Sequence, residues 1–190
     1  MIRGLLLAGG AATRFGGAKL LAAAADHATP IGVRAARSLL AGAGNALAVV
    51  RPGDSALAQA LREAGCEILE TPDSLRGLGA SLSSGVKASR DAEGWLVALA
   101  DMPRIHAATH RAVAAAIARG AKLAAAADAT GRRGHPVAFG ADLYADLAAL
   151  DGDEGARAVV ERHRAWLEVV RVDDAGIHFD IDTRGDLSAG

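Results

Sequence analysis

The chain has 190 residues with a formal net charge of -1 at pH 7, and 51% of them are hydrophobic but only 3% aromatic. A near-neutral chain lacks the basic excess that holds nucleic acid or an anionic membrane surface, so we expect neither partner. The length predicts one domain, residues 1–190. The single Cys66 has no partner for an internal disulfide, which favours a reducing, cytoplasmic location.

Apolar runs of strand length alternate with segments of helical pattern along the chain. In chain order we predict a strand over 2–7, helix 30–43 with Thr29 as its N-cap, strand 46–50, helix 55–64, strand 66–69, helix 81–89, strand 95–99, helix 109–119, strands 122–127 and 136–139, helices 141–150 and 153–164, strands 167–172 and 177–181, and a short helix near 184. This order predicts an α/β fold with a mostly parallel sheet and helices on both faces.

The opening segment is the strongest functional signal. A buried strand ends at Leu7 and leads into Ala8, Gly9 and Gly10, after which the loop supplies Arg14 and Lys19. Glycines let backbone N–H groups approach an anion, and the two cations can neutralise it, so the segment predicts a polyphosphate site. It lacks the Gly-Lys-Ser/Thr ending of a Walker loop and the spacing of a dinucleotide fingerprint, which excludes both.

Carboxylates follow two later apolar segments. Asp101 comes directly after the strand predicted over 95–99, and Asp180 and Asp182 are spaced to share one face of the last strand. Ligands of open parallel sheets bind at the carboxyl ends of the strands, and carboxylates there can hold Mg²⁺. Taken singly, Asp101 could instead cap a helix, and the last two could be edge-strand charges or helix caps.

Two more segments are candidates for substrate contacts. The glycine-bracketed loop 131–136 carries Arg133 and His135, which can meet an acidic or phosphorylated second substrate; a solvated basic loop is the alternative. In the segment 76–82, Gly79 and Ser81 could shape a base pocket or simply begin a helix.

These segments, in this order, resemble the nucleotidyltransferases of molybdenum cofactor maturation, within the MobA-like NTP transferase superfamily. The family signature L-A-x-G-x-x-x-R-[MF]-G-x-x-K is matched by Leu7, Ala8, Gly10, Arg14, Phe15, Gly16 and Lys19. The segment 101–103 is similar to the family's metal-aspartate segment, and 134–137 and 180–183 are similar to segments of its cytidylyl branch. The resemblance implies a three-layer α/β/α, Rossmann-like GT-A nucleotidyltransferase fold.

The resemblance also implies a reaction, in which a terminal phosphate of a molybdopterin-type acceptor attacks the α-phosphorus of CTP or GTP and releases pyrophosphate. Leu7, Ala8, Gly9, Gly10, Gly79 and Ser81 would then contact the nucleotide, Arg14 and Lys19 would balance the triphosphate, and Arg133 and His135 would bind the acceptor. Asp101, with Asp182 rather than Asp180, would hold Mg²⁺. A molybdoenzyme or its chaperone would receive the product.

The base and the acceptor are open at this point. Gly9 is typical of the guanylyl branch, where the cytidylyl branch usually has Ala, and Arg184-Gly185 stands where that branch commonly has Pro-Glu. CMP transfer is favoured over GMP transfer because the segments 79–82 and 134–136 are cytidylyl-like. The alternatives are a sugar-phosphate or methylerythritol-phosphate cytidylyltransferase, and a nucleotide-binding module without catalytic activity.

Overall fold

The structure, a computed structural model, describes residues 1–10, 15, 18–23 and 28–187. Its strands are β1 (Ile2–Leu7), β2 (Leu47–Val50), β3 (Glu67–Glu70), β4 (Gly94–Leu99), β5 (Leu123–Ala127), β6 (Arg133–Gly140) and β7 (Leu167–Arg171). Its α-helices are α1 (Ile31–Ala43), α2 (Ser55–Glu63), α3 (Leu78–Ala88), α4 (Ala107–Ala118), α5 (Tyr144–Ala148) and α6 (Arg157–Arg162). In the described ranges, no helix is both long and apolar enough to cross a membrane.

The strands form one mixed sheet in the order β3-β2-β1-β4-β6-β5-β7. The strand β6 runs antiparallel to its neighbours β4 and β5, and every other pairing is parallel. The N-terminal end of β6 therefore lies at the same edge of the sheet as the carboxyl ends of the other strands. This topology brings the residues after β1 and β4 close to the residues that begin β6.

Helices cover both faces of the sheet, as the alternating pattern predicts. Consecutive side chains of β1 point to opposite faces, so Leu6 packs with α1, α2 and α4, whereas Leu5 packs with α3, α5 and α6. The second core includes Trp95, which is fully buried and donates a hydrogen bond from its indole Nε1 to Ser89 Oγ at 3.0 Å. Both cores include buried residues of the central strands β1, β2 and β4, so the strands whose ends carry the candidate site are packed on both faces.

The prediction of a strand over 177–181 is wrong. The chain instead turns there as a 3-10 helix, Ala175–His178, whose N-cap is the buried Asp174. The carboxylate of Asp174 accepts hydrogen bonds from Gly176 N, His106 N and Thr109 Oγ1, which fixes the turn against the start of α4. Asp180 and Asp182 therefore do not share a strand face.

Smaller differences concern helix ends. Thr29 is not the N-cap of α1, a position held by Pro30, and the N–H of Ile31 donates to the carbonyl of Ala22 at 2.9 Å. The two helices predicted over 141–150 and 153–164 are shorter, because Gly152 and Gly155 adopt positive φ between them. The predicted basic loop 131–136 is largely strand, since β6 already begins at Arg133.

Candidate active site

Lys19, Asp101 and Asp182 meet at the carboxyl edge of the sheet. The Nζ atom of Lys19 lies 3.0 Å from Asp101 Oδ2 and 3.3 Å from Asp182 Oδ1. Asp101 follows β4 and caps no helix, since α4 begins at Ala107 with His106 as its N-cap. Of the predicted metal ligands, the structure thus brings Asp101 and Asp182 together around one cation, and leaves Asp180 exposed.

Backbone contacts hold this arrangement in place. The N–H of Ile181 donates to the carbonyl of Asp101 at 2.9 Å, which sets Asp182 beside Asp101. The carboxylate of Asp186 accepts from the N–H groups of Asp182 and Thr183 at 3.0 and 2.6 Å. These bonds to backbone N–H groups lower the pKa of Asp186. The segment 181–186 therefore forms a hydrogen-bonded turn that packs against the residues following β4.

The donor set fits a hard divalent cation. Two carboxylates converge on the Lys19 ammonium, so the position between them favours positive charge. No group of three or more His, Cys, Asp or Glu able to hold a metal occurs among the residues that the structure describes. Mg²⁺ is commonly held by one or two carboxylates, with waters and substrate phosphates completing its shell. Asp101 and Asp182 would suffice for such a site.

A cavity of about 340 Å³ opens beside these residues and corresponds to the predicted nucleotide side. Leu7, Ala8, Gly10 and Lys19, which the sequence predicts as nucleotide contacts, all line it. Arg14 lies outside the described residues.

Three other predicted nucleotide contacts do not line this cavity and instead pack behind its wall, namely Gly9, Gly79 and Ser81. A Cβ atom on Gly9 would lie 2.7 Å from Ser74 Cβ and 3.3 Å from Ser81 Oγ, so only glycine fits there. The hydroxyl of Ser81 donates to the carbonyl of Gly77 at 2.9 Å, and the N–H of Gly79 donates to the carbonyl of Gly152 at 2.7 Å. A Cβ atom on Gly10, by contrast, would meet nothing within 4 Å.

Arg51 and Asp54 also line the nucleotide-side cavity, and sequence reasoning missed both. Arg51 follows β2 directly, and its Nε donates to the carbonyl of Gly9 at 2.6 Å. The rule that ligands bind at the carboxyl ends of parallel strands singles out Asp101, and it would also have found Arg51. Arg51 directly follows β2, and Asp101 comes two residues after β4.

A second cavity, of about 520 Å³, adjoins the first and shares Leu7, Leu78 and Leu99 with it. Arg133 and His135, the predicted acceptor contacts, both line this second cavity. Three charged residues that sequence reasoning missed line it as well, namely Glu154, Arg157 and Glu161. No local motif marks them, since they reach the cavity only through the packing of α6 and the loop before it. The rest of the lining is mostly aliphatic, together with Phe139 and two glycines.

Two of the charged groups in the second cavity are already paired. Arg133 Nη2 lies 2.9 Å from Glu161 Oε1, and this hydrogen bond lowers the pKa of Glu161.

His135 has a lowered pKa because of its burial, partly offset by the charge of Asp101, so its ring is neutral at pH 7. Its Nδ1 atom is buried and has no hydrogen-bond partner among the described residues.

Comparison with known proteins identifies the family. A model of the MobA-like NTP transferase domain matches residues 4–166. The chain belongs to the MobA-like NTP transferase family. It is accordingly a nucleotidyltransferase with a Rossmann-like, mostly parallel mixed sheet. A search of curated protein sequences found no match.

Solved structures agree with this assignment. Rv0371c from Mycobacterium tuberculosis H37Rv is 25% identical at a TM-score of 0.85, covering 100% of this chain and 97% of that one. The same protein has been solved in complex with manganese. Its homologue from Mycobacterium sp. strain JC1 is 29% identical at a TM-score of 0.78, with 97% and 92% covered. A CMP:2-keto-3-deoxy-manno-octonic acid synthetase solved in complex with CTP shares the fold, with 13% identity and a TM-score of 0.74. The match covers 98% of this chain and 95% of that one.

Proposed function

We propose that residues 1–190 form one nucleotidyltransferase domain that moves a nucleoside monophosphate, CMP in preference to GMP, from its triphosphate to the phosphate of molybdopterin or molybdenum cofactor. Pyrophosphate is the second product. The observation that carries the proposal is the pair of adjoining cavities, which share a wall at Leu7, Leu78 and Leu99. One cavity has the glycine loop, the cation and the carboxylates that a triphosphate needs, and the other offers space and charge for an acceptor.

The chemistry is a displacement at the α-phosphorus. An oxygen of the acceptor phosphate forms a bond to that phosphorus, and the bond to the bridging oxygen of the leaving pyrophosphate breaks. Transfer of this kind depends on positioning and charge neutralisation more than on covalent help from the protein. Lys19 and, outside the described residues, Arg14 balance the triphosphate charge and the charge that grows on pyrophosphate.

Asp101 and Asp182 are the residues that would hold Mg²⁺. When bound, the metal would supply further neutralisation across the phosphates. Support comes from the convergence of the two carboxylates on the Lys19 ammonium, and from the manganese complex of Rv0371c. The Lys19 ammonium contacts both carboxylates, so it would compete with the metal for them.

The preference for CTP and for a pterin acceptor rests on the resemblance of residues 134–137 and 180–183 to the cytidylyl branch of molybdenum cofactor maturation. His135 and Arg133 lie in the second cavity, where the acceptor would bind. We further propose that the protein works in the cytoplasm and that a molybdoenzyme or its chaperone receives the product.

Transfer of label from α-³²P nucleoside triphosphates to molybdopterin, with pyrophosphate release followed in parallel, tests the proposal. We expect Mg²⁺-dependent transfer that is fastest with CTP. Asp101→Asn should abolish it, whereas Asp142→Asn, which changes an exposed carboxylate paired with Lys122, should not. Transfer from GTP alone would place the protein with the guanylyl enzymes, and transfer only to a sugar phosphate or methylerythritol phosphate would exclude the pterin acceptor.

Nucleotide binding gives a second test that does not need the acceptor. A nucleotide at a hundred times its Kd stabilises the protein by about 2.7 kcal/mol, which a thermal shift resolves. We expect the largest shift with CTP and Mg²⁺ together. Equal, metal-independent shifts with all four triphosphates would contradict the proposed site, and binding without any transfer would indicate a regulatory module.

A further inference from the structure

The second cavity contains a cation to which neither the sequence nor the proposed reaction assigns a role. Arg157, the first residue of α6, lines the cavity and is exposed. It makes no hydrogen bond or ion pair with any residue that the structure describes. The other arginine of the cavity, Arg133, is held by Glu161 at 2.9 Å. The guanidinium of Arg133 has one donor engaged and its charge compensated by Glu161, whereas that of Arg157 has neither in the described part of the chain.

This difference favours Arg157 over Arg133 as the arginine that binds an anion. The pKa of Glu161 is lowered chiefly by its hydrogen bond from Arg133, and only weakly by the charge of Arg157. An anion that binds Arg133 has to compete with Glu161 for it, whereas one that binds Arg157 displaces only water. A guanidinium without a carboxylate partner is well suited to bind a phosphate in a bidentate manner.

The chain just before Arg157 packs on the wall that the two cavities share. A Cβ atom on Gly155, two residues before it, would lie 2.9 Å from Leu78 Cδ2, and Leu78 is part of the wall that both cavities share. The loop before α6 is fixed to the start of α3, since Gly152 accepts a hydrogen bond from Gly79 N and Asp151 lies 3.0 Å from Arg76. The backbone that carries Arg157 is therefore anchored at the boundary between the two cavities.

We propose that Arg157 binds the phosphate of the acceptor, while the Arg133–Glu161 ion pair shapes the cavity wall without contacting that phosphate. This inference rests on the proposed function, because it assumes a phosphorylated acceptor in the second cavity. It replaces Arg133 with Arg157 as the anion-binding arginine and makes Glu161 the residue that keeps Arg133 neutralised.

Binding of neopterin monophosphate, a fluorescent phosphorylated pterin, tests the assignment without turnover. Arg157→Ala should weaken binding about ten- to hundredfold, as loss of one charge-assisted contact does, and leave the affinity for unphosphorylated neopterin unchanged. The double variant Arg133→Ala/Glu161→Gln, which removes the ion pair and leaves the summed charge of the cavity unchanged, should lose much less affinity than Arg157→Ala. Arg132→Ala, an exposed arginine outside the cavity, is the matched control.

A rescue variant makes the test sharper. In Arg157→Ala/Glu161→Gln, Arg133 has lost its carboxylate partner and should recover part of the lost affinity. Wild-type affinity in Arg157→Ala, or a loss in Arg133→Ala/Glu161→Gln as large as that in Arg157→Ala, would overturn the assignment while leaving the proposed reaction intact. If the wild type does not bind neopterin monophosphate, the role of Arg157 fails, and the label-transfer assay then shows independently whether the proposed reaction fails with it.

Discussion

Replacing Lys19 by Met removes the cation that now lies between the two candidate metal ligands. The side chain of Lys19 is only 10% exposed, and its Nζ contacts Asp101 at 3.0 Å and Asp182 at 3.3 Å. Methionine has a similar length and no charge. In the nucleotide-free protein, a divalent metal no longer has to displace an ammonium, so we expect Lys19→Met to bind metal more tightly than the wild type.

The size of the effect follows from the two contacts. A hydrogen bond between charged groups contributes about 1.5–3 kcal/mol net when partly buried, which applies to Asp101 at 29% exposure. Asp182 is 46% exposed, and solvent screening reduces its contact to less than about 1 kcal/mol. We take about 2 kcal/mol for the pair, which corresponds to a gain of roughly thirtyfold in metal affinity.

Titration with Mn²⁺ in the absence of nucleotide, with the free ion followed by electron paramagnetic resonance, measures this gain. The matched control is Lys122→Met, which removes a surface lysine 3.0 Å from Asp142. In the label-transfer assay, Lys19→Met should turn over about a hundredfold more slowly, because the triphosphate has lost a counter-charge. An unchanged Mn²⁺ affinity would refute the competition between lysine and metal, and near-normal turnover would refute the phosphate role.

Two further predictions concern stability. Gly9→Ala should lower the free energy of unfolding by about 1–3 kcal/mol in urea, because its Cβ would lie 2.7 Å from Ser74 Cβ, whereas Gly10→Ala should change it little; equal effects would contradict the packing argument. Burial lowers the pKa of His110 to about 4, against about 6.5 in an unfolded chain, so protons bind the unfolded state preferentially as the pH falls through this range. His110 alone should therefore lower the free energy of unfolding by about 2 kcal/mol between pH 7 and pH 5, and His110→Leu should remove that part of the drop. An undiminished drop in the variant would show that His110 is not its source.

Local sequence patterns predict most of the strands and helices, because the apolar residues that each element buries lie within that element itself. The strand 2–7 ends in three consecutive leucines, Leu5 to Leu7, and β1 has these bounds in the structure. The segment 177–181 alternates apolar and polar residues, yet it forms a turn. Its backbone is captured by Asp174, a buried carboxylate that also binds the start of α4, some 65 residues away in sequence. A local pattern carries no record of such a partner.

The same distinction divides the site. Asp101 and Arg51 come just after buried parallel strands, so the rule that ligands bind at the carboxyl ends of such strands can find them in the sequence. Lys19 is found through the glycine loop that follows β1. Arg157 and Glu154 reach their cavity because Gly152 docks on Gly79 and Gly155 packs on Leu78. Those contacts join segments more than 70 residues apart, and the side chains they position resemble any exposed helix charges in the sequence.

Gly9 shows how structure changes the meaning of a single residue. In the sequence, glycine at this position favours the guanylyl branch and leaves the base undecided. In the structure, Ser74 and Ser81 exclude a Cβ there, so packing alone accounts for the glycine. A glycine required by packing carries no information about the base. Under the proposed function, discrimination between CTP and GTP would reside in residues that line the nucleotide-side cavity. Arg51 is one of these, and its hydrogen bond to the carbonyl of Gly9 links the glycine loop to that cavity.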